Sequence, residues 1–146
     1  MTDLNRLKRL ALCHFQDCEP SDIEHALYGE DTFTVYGAGE FLVLTEDEAD
    51  AKVGEEIKRS AWAFNPSFIR QHSKLPIEAE EMIKGFLEAK CEDANNTILA
   101  LITDLDEFIR DAVAGDGRGH FLASEDGTEH QEKVAGQTFY IYQLNQ

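Results

Sequence analysis

The sequence predicts an α+β fold, with a small antiparallel sheet of about four strands packed against several helices in a single domain over 1–146. Three observations carry that expectation. Between Thr32 and Phe64 the apolar pattern switches from a two-residue period to a helical one, so two strands and a helix follow in immediate succession. From Ala79 to Ala112 apolar residues recur at three and four positions, the spacing of helices with one buried face. Near the C-terminus, aromatic and β-branched residues alternate again around Tyr140.

Taken in order, residues 2–16 read as a helix with Leu4, Leu7, Leu10, Ala11 and Cys13/His14 on its apolar face. Asp17 to Asp22 is a turn, and Ser21 caps a short helical turn through Ile23, Ala26 and Leu27 that ends near Tyr28-Gly29. A hairpin over 33–36 and 40–45 turns at Gly37-Ala38-Gly39, where glycine admits the positive φ angles of a tight connection. Its second strand is apolar on both faces, which marks it as central or covered. Thr45 and Glu48 have the spacing of a capping box, and Glu46, Asp47 and Glu48 suit the positive end of the helix dipole. Ala49, Val53, Ile57, Ala61 and Phe64 form the buried stripe of that helix, which Asn65-Pro66 stops. Pro76 opens another helix, with Ala79, Met82, Ile83, Phe86 and Leu87 facing inward. A seam continues through Leu87, Cys91, Ala94, Ile98, Leu101, Leu105, Phe108 and Ala112, as one long helix or two consecutive ones; Gly85 and Asn95-Asn96 weaken the single-helix version. Gly115 to Gly119 ends it in a loop. His120–Ala123 and Thr138–Tyr142 read as two strands around Glu125 to Thr128.

Composition narrows the function classes. With 42% hydrophobic residues the chain has enough apolar mass for a packed core, and no apolar run approaches the roughly 18 residues of a membrane span. The basic N-terminal stretch lacks the apolar run and cleavage site of a signal peptide. Three cysteines, an odd number, argue against a disulfide framework and for the reducing cytoplasm. Charge is the strongest signal: 13 Lys and Arg against 29 Asp and Glu give a net −16. No basic residue lies between Arg9 and Lys52, nor between Lys90 and Arg110. Direct nucleic-acid binding rests on cations neutralising phosphates, so this balance argues against it and favours a basic protein partner. The plainer account of the same charge is solubility.

Candidate sites were weighed against structural explanations. Cys13-His14, Cys18 and His25 match no zinc spacing, because paired cysteines two to four residues apart are missing. Asp104, Glu107 and Asp111 share a helical face but lack the order of a calcium loop, and a solvated face explains them. Gly115-Asp-Gly-Arg-Gly-His120 is neither a Walker loop nor a dinucleotide fingerprint; Arg118 and His120 are its candidate ligand contacts, and a plain helix-to-strand connection is the alternative. Catalysis there needs His120 near Glu125 or Asp126 with Ser124 as nucleophile, an arrangement that no motif of the chain encodes. No enzyme activity, metal or cofactor is expected. Trp62 and the tyrosines read as core and sheet residues.

The blocks Glu40-Phe-Leu-Val-Leu-Thr-Glu-Asp-Glu-Ala-Asp50, Ser60-Ala-Trp-Ala-Phe-Asn65, Cys91-Glu-Asp-Ala-Asn95, Gly117-Arg-Gly-His-Phe-Leu122 and Phe139-Tyr-Ile-Tyr142 resemble a family of small acidic proteins carried by bacteriophages and other bacterial mobile elements. The likeness runs from about residue 15 to the C-terminus and supplies no catalytic residues. It implies expression in the cytoplasm of a bacterial host. Proteins of that kind often bind a host protein, and inhibitors of restriction or CRISPR machinery, some of them DNA mimics, are the best-known class.

The reading favoured by the sequence is a non-enzymatic binder that blocks a host nucleic-acid-handling complex. Its contact residues come from the base-free interval: Asp17, Glu19, Asp22, Glu24, Glu30, Asp31, Glu46, Asp47 and Asp50. The alternatives are an assembly module working through the 87–112 seam, with a monomer favoured over a homodimer, and a small-ligand protein using Arg118 and His120.

Overall fold

The computed structural model describes residues 3–25 and 31–146, with only the backbone at His25. Contacts group them into two compact units, Met1–Val53 with Asp116–Gln146, and Gly54–Gly115. The sequence reading expects one domain. The unit borders fall inside continuous helices, with no Pro- or Ser-rich linker to mark them.

In chain order the elements are α1 (Asp3–Gln16), β1 (Ile23–His25), β2 (Thr32–Val35), β3 (Gly39–Leu44), α2 (Glu46–Arg59), α3 (Pro66–Gln71), α4 (Glu80–Lys90), α5 (Asn95–Leu101), α6 (Leu105–Asp116), α7 (Arg118–Leu122), β4 (His130–Val134) and β5 (Gln137–Gln143). The α+β class is therefore as the sequence predicts. Among the described residues the sheet has five strands, ordered β1-β2-β3-β5-β4 and antiparallel throughout.

In the first unit, strand alternation sends Ile23, Phe33, Val35, Phe41, Val43, Phe139 and Ile141 to one face, where Ala11, Leu12 and Cys13 of α1 join them in the core. Fully burying a side chain of this size contributes about 1.5–3 kcal/mol, which makes this layer the main source of the unit's stability. The central strand β3 also buries Leu42 and Leu44 on the opposite face, beside Tyr142 of β5. Its two apolar faces thus have the predicted cause. The hairpin turns through Tyr36 and Gly37 (φ +83°), closed by the Ala38 amide donating to the Val35 carbonyl at 2.9 Å. The C-terminal residues strap this turn. The Gln143 side chain donates to the Ala38 carbonyl at 3.2 Å, the Glu40 amide donates to Asn145 Oδ1 at 3.1 Å, and a Cβ on Gly39 would strike the Asn145 backbone.

Two sequence assignments are corrected in this unit. Ile23–His25 is the edge strand β1 rather than part of a helical turn; Ile23 pairs opposite Val35 and packs in the core. Residues 26–29 of that expected turn lie outside the described residues. His120–Ala123 is not a strand, because α7 occupies Arg118–Leu122 and the Ala123 amide donates to the Gly119 carbonyl. Gly119 has no room for a side chain against the backbone of 127–129, so this short helix rides on that turn. The strand that pairs with β5 is instead β4. Its His-Gln-Glu-Lys-Val sequence is polar and charged, which suits an exposed sheet edge.

The second unit is helical. Asn65-Pro66 starts a helix rather than stopping one: Asn65 Oδ1 accepts from the Ser67 amide at 2.9 Å, with Pro66 in the first turn of α3. Pro76 precedes a short 3₁₀ turn, Ile77–Ala79, which leads into α4. The 87–112 seam is broken into α4, a 3₁₀ turn at Cys91–Ala94, α5 and α6, with Cys91 at φ +52°. Asn95 is a tie rather than only a weak helix former. Its amide donates to the Lys58 carbonyl at 2.7 Å, and its oxygen accepts from the Trp62 amide at 3.0 Å. Ala94, Ile98, Phe108 and Ala112 of the seam are buried, and Phe108 packs edge-on against Phe64 with ring centres 5.1 Å apart. Asp104, one of the suspected cation ligands, caps α6 by accepting from the Glu107 amide at 3.1 Å.

Candidate functional site

The acidic residues of the base-free interval divide into two populations. The first is neutralised by two buried cations that lie outside the interval. Lys8, on α1, is 1% exposed, and its ammonium sits 2.6 Å from Asp31 and 2.8 Å from Glu48. Glu48 also completes the predicted capping box: it accepts from the Thr45 amide at 2.9 Å, while the Glu48 amide donates to Thr45 Oγ1 at 3.3 Å. Burial pushes the Glu48 carboxyl up, but the bonds from Lys8 and Thr45 outweigh it and leave its pKa below the ordinary value.

Arg118 is the second cation. Its side chain is 9% exposed and reaches Glu129 at 2.8 Å, Asp50 at 2.9 Å and Glu46 at 3.0 Å. The guanidinium also lies 4.5 Å over the Tyr140 ring, and the Tyr142 hydroxyl donates to Glu129. Burial disfavours the charged guanidinium, but Glu129 and Glu46 more than offset that and hold its pKa above the ordinary arginine range. The Glu46 carboxyl falls below its usual value, first through a hydrogen bond from Tyr140 and, against burial, through Arg118. Burial, then Glu129, pushes the Tyr142 phenol up.

The expected glycine-rich loop is a helix junction instead. Only Gly117, at φ +83°, separates α6 from α7, and Arg118 is enclosed by the chain's own carboxylates. His120 is exposed and rests edge-on against Phe121, with ring centres 4.9 Å apart.

The second population forms an edge. Asp17, Glu19, Asp22 and Glu24 are all exposed, and none makes an ion pair among the described residues. Local backbone geometry gathers them. Asp17, at φ +52°, caps the end of α1, and the Glu19 amide donates to the Asp22 carboxylate at 3.1 Å. The Asp22 carbonyl accepts from the Tyr36 amide at 3.1 Å. Glu24 then stands opposite Thr34, which stands opposite Glu40, so two carboxylates flank a threonine across three strands. Tyr36, 92% exposed at the hairpin tip, adjoins this edge and not the core.

Of the nine acidic residues chosen from sequence, Asp31, Glu46 and Asp50 are thus held by Lys8 and Arg118, while Asp17, Glu19, Asp22 and Glu24 share one edge. Asp47 is exposed in the first turn of α2, and Glu30 lies outside the described residues. The sequence reading missed Lys8, Glu129 and Tyr142. Lys8 left a trace, since it lies at helical spacing from Leu4 and Leu12 and so on the apolar stripe.

Cys13 and Cys18 meet at the C-terminal cap of α1, where the Cys18 amide donates to the Cys13 carbonyl at 3.1 Å, and both are free. His14 is exposed, and the His25 side chain lies outside the described residues. Among the described residues no three His, Cys, Asp or Glu side chains are gathered to hold a metal ion. No helix of the described chain is long and apolar enough to cross a membrane. Compared with known proteins, the chain matches no family model, no curated protein and no solved structure.

Proposed function

We propose that this chain is a non-enzymatic inhibitor whose acidic edge, Asp17 to Glu24 with Tyr36, docks onto the basic groove of a host nucleic-acid-handling defence complex. The observation that carries the reading is the division of the carboxylates. The fold uses buried Lys8 and Arg118 to neutralise Asp31, Glu48, Glu46, Asp50 and Glu129, yet leaves four neighbouring carboxylates on one edge outside every ion pair among the described residues, the nearby Arg9 guanidinium donating to the Ile23 carbonyl at 3.0 Å. A solubilising charge needs no such gathering. Unpaired carboxylates beside an exposed tyrosine match what a groove built for phosphates offers: cations at the rim and a surface for aromatic contact. Restriction and CRISPR effector complexes are the partners this chemistry fits, with the edge standing in for a stretch of nucleic-acid backbone.

The test compares the wild type with a variant carrying Asp17→Asn, Glu19→Gln, Asp22→Asn and Glu24→Gln. Binding to purified restriction and CRISPR effector complexes is measured across a salt series with duplex DNA as competitor. The expected result is competition with DNA, steep weakening with salt, and loss of at least roughly tenfold in affinity in the variant. Equal binding by both proteins, insensitive to salt, would sink the reading.

A further inference from the structure

The end of α1 has the hydrogen bond of a Schellman cap. The Cys18 amide donates to the Cys13 carbonyl at 3.1 Å, and Asp17 between them is left-handed at φ +52°. In such a cap the residue three from the helix end touches the second residue beyond it, and the contact is usually apolar. Here both residues are cysteines, Cys18 half-buried and Cys13 buried, and their thiols are close enough to shift each other's ionisation. A disulfide needs Cα atoms about 4.4–6.8 Å apart with converging Cβ vectors, and a cap that turns the second residue beyond the helix back onto the residue three from its end brings these two positions together.

We propose that Cys13 and Cys18 form a reversible dithiol–disulfide site whose co-reactant is a small-molecule disulfide. Cys18, the more accessible, attacks as thiolate on one sulfur of the co-reactant; its S–S bond breaks and one thiolate leaves. Cys13 then loses its proton and attacks Cys18 Sγ, expelling the second thiolate. Two electrons pass from the protein to the small molecule. Two protein S–H bonds and one foreign S–S bond become one protein S–S bond and two free thiols, which carry away the two protons. Burial raises the Cys18 thiol, Cys13 offsets this only in part, and Asp22, Glu19 and Asp17 raise it again, so Cys18 attacks first because it is the more accessible sulfur, and faster as pH rises. Burial, reinforced by Cys18, Glu19 and Asp22, pushes the Cys13 thiol up to about 11. A thiol that ionises so reluctantly is a poor leaving group, so the disulfide once formed resists reduction.

The experiment uses the full chain carrying Cys91→Ser, which removes the exposed third thiol. The protein is equilibrated with oxidised glutathione, quenched with iodoacetamide and weighed intact, with wild type in parallel. The expected product has lost two hydrogens, takes up no iodoacetamide, and regains both alkylation sites after dithiothreitol. It should exceed the Cys18–glutathione adduct by more than about tenfold, because the second thiol is already in place. A persistent glutathione adduct at Cys18, or two alkylatable thiols in protein whose wild-type counterpart is glutathionylated at Cys91, would overturn the proposal. Neither outcome bears on the acidic edge, whose test leaves both cysteines intact.

Discussion

At the scale of single residues the first unit depends on two cations enclosed by carboxylates. Removing one partner of such a buried pair leaves the others desolvated and uncompensated, which typically costs about 3–5 kcal/mol. Arg118→Met should approach that range in urea unfolding, because it releases Glu129 from its ion pair and removes the cation over Tyr140. Lys8→Met should cost less, since Asp31 and Glu48 are each about a third exposed and water can replace the ammonium. The same groups set the response to pH. Glu46 and Glu48 titrate below their ordinary value of 4.5 when folded, so their contribution is complete above that value and is lost as pH falls through the depressed ones. Tyr142 behaves oppositely. Its folded-state value lies above the ordinary 10.0, so stability holds below pH 10.0 and declines as pH rises beyond it. Urea midpoints measured against pH should show both limbs, with Tyr142→Phe flattening the alkaline one.

At the scale of elements, what was legible is what is local. The hairpin, the capping box at Thr45 and the inward stripe of α2 depend on residues a few positions apart, and periodicity reports those; on α1 it took in exposed His14 and left out buried Lys8 and Leu12. Arg118 meets Glu46 and Asp50 across separations of 72 and 68 residues, so nothing in the neighbourhood of Gly117-Arg-Gly discloses that its guanidinium is already occupied. A glycine-rich stretch read alone looks like a ligand loop. In the fold, Gly119 is there because a Cβ would lie 2.6 Å from the Glu129 amide and 2.7 Å from the Gly127 carbonyl. Gly119→Ala should therefore destabilise by about 1–3 kcal/mol through overpacking against backbone. Gly115→Ala is its contrast: it lies in α6 with open space around it, and should stabilise by about 0.5–1 kcal/mol through helix propensity. Thermal or urea unfolding of the two variants separates the cases by sign. β4 escaped detection for a different reason. Its residues alternate in burial, but of the five only Val134 is apolar, so the hydrophobic alternation that identifies a strand is almost absent from the sequence.

At the scale of the whole molecule, the charge of −16 opposes compaction. Screening should relieve that repulsion, so added sodium chloride should raise the unfolding midpoint even as it weakens any partner held through the acidic edge. Stability and binding thus respond to salt with opposite signs. Measured on one preparation, that pair of responses separates a surface evolved for contact from one that serves only to keep the chain dissolved.

The strap that Asn145 and Gln143 lay across the hairpin turn has a practical consequence. Any tag or fusion partner joined after Gln146 emerges beside Gly39, at the same turn that carries Tyr36. A screen with such a fusion would place the bait's own handle over its docking tip and return silence from a competent protein. An internal handle at exposed Cys91 avoids the C-terminal strap altogether.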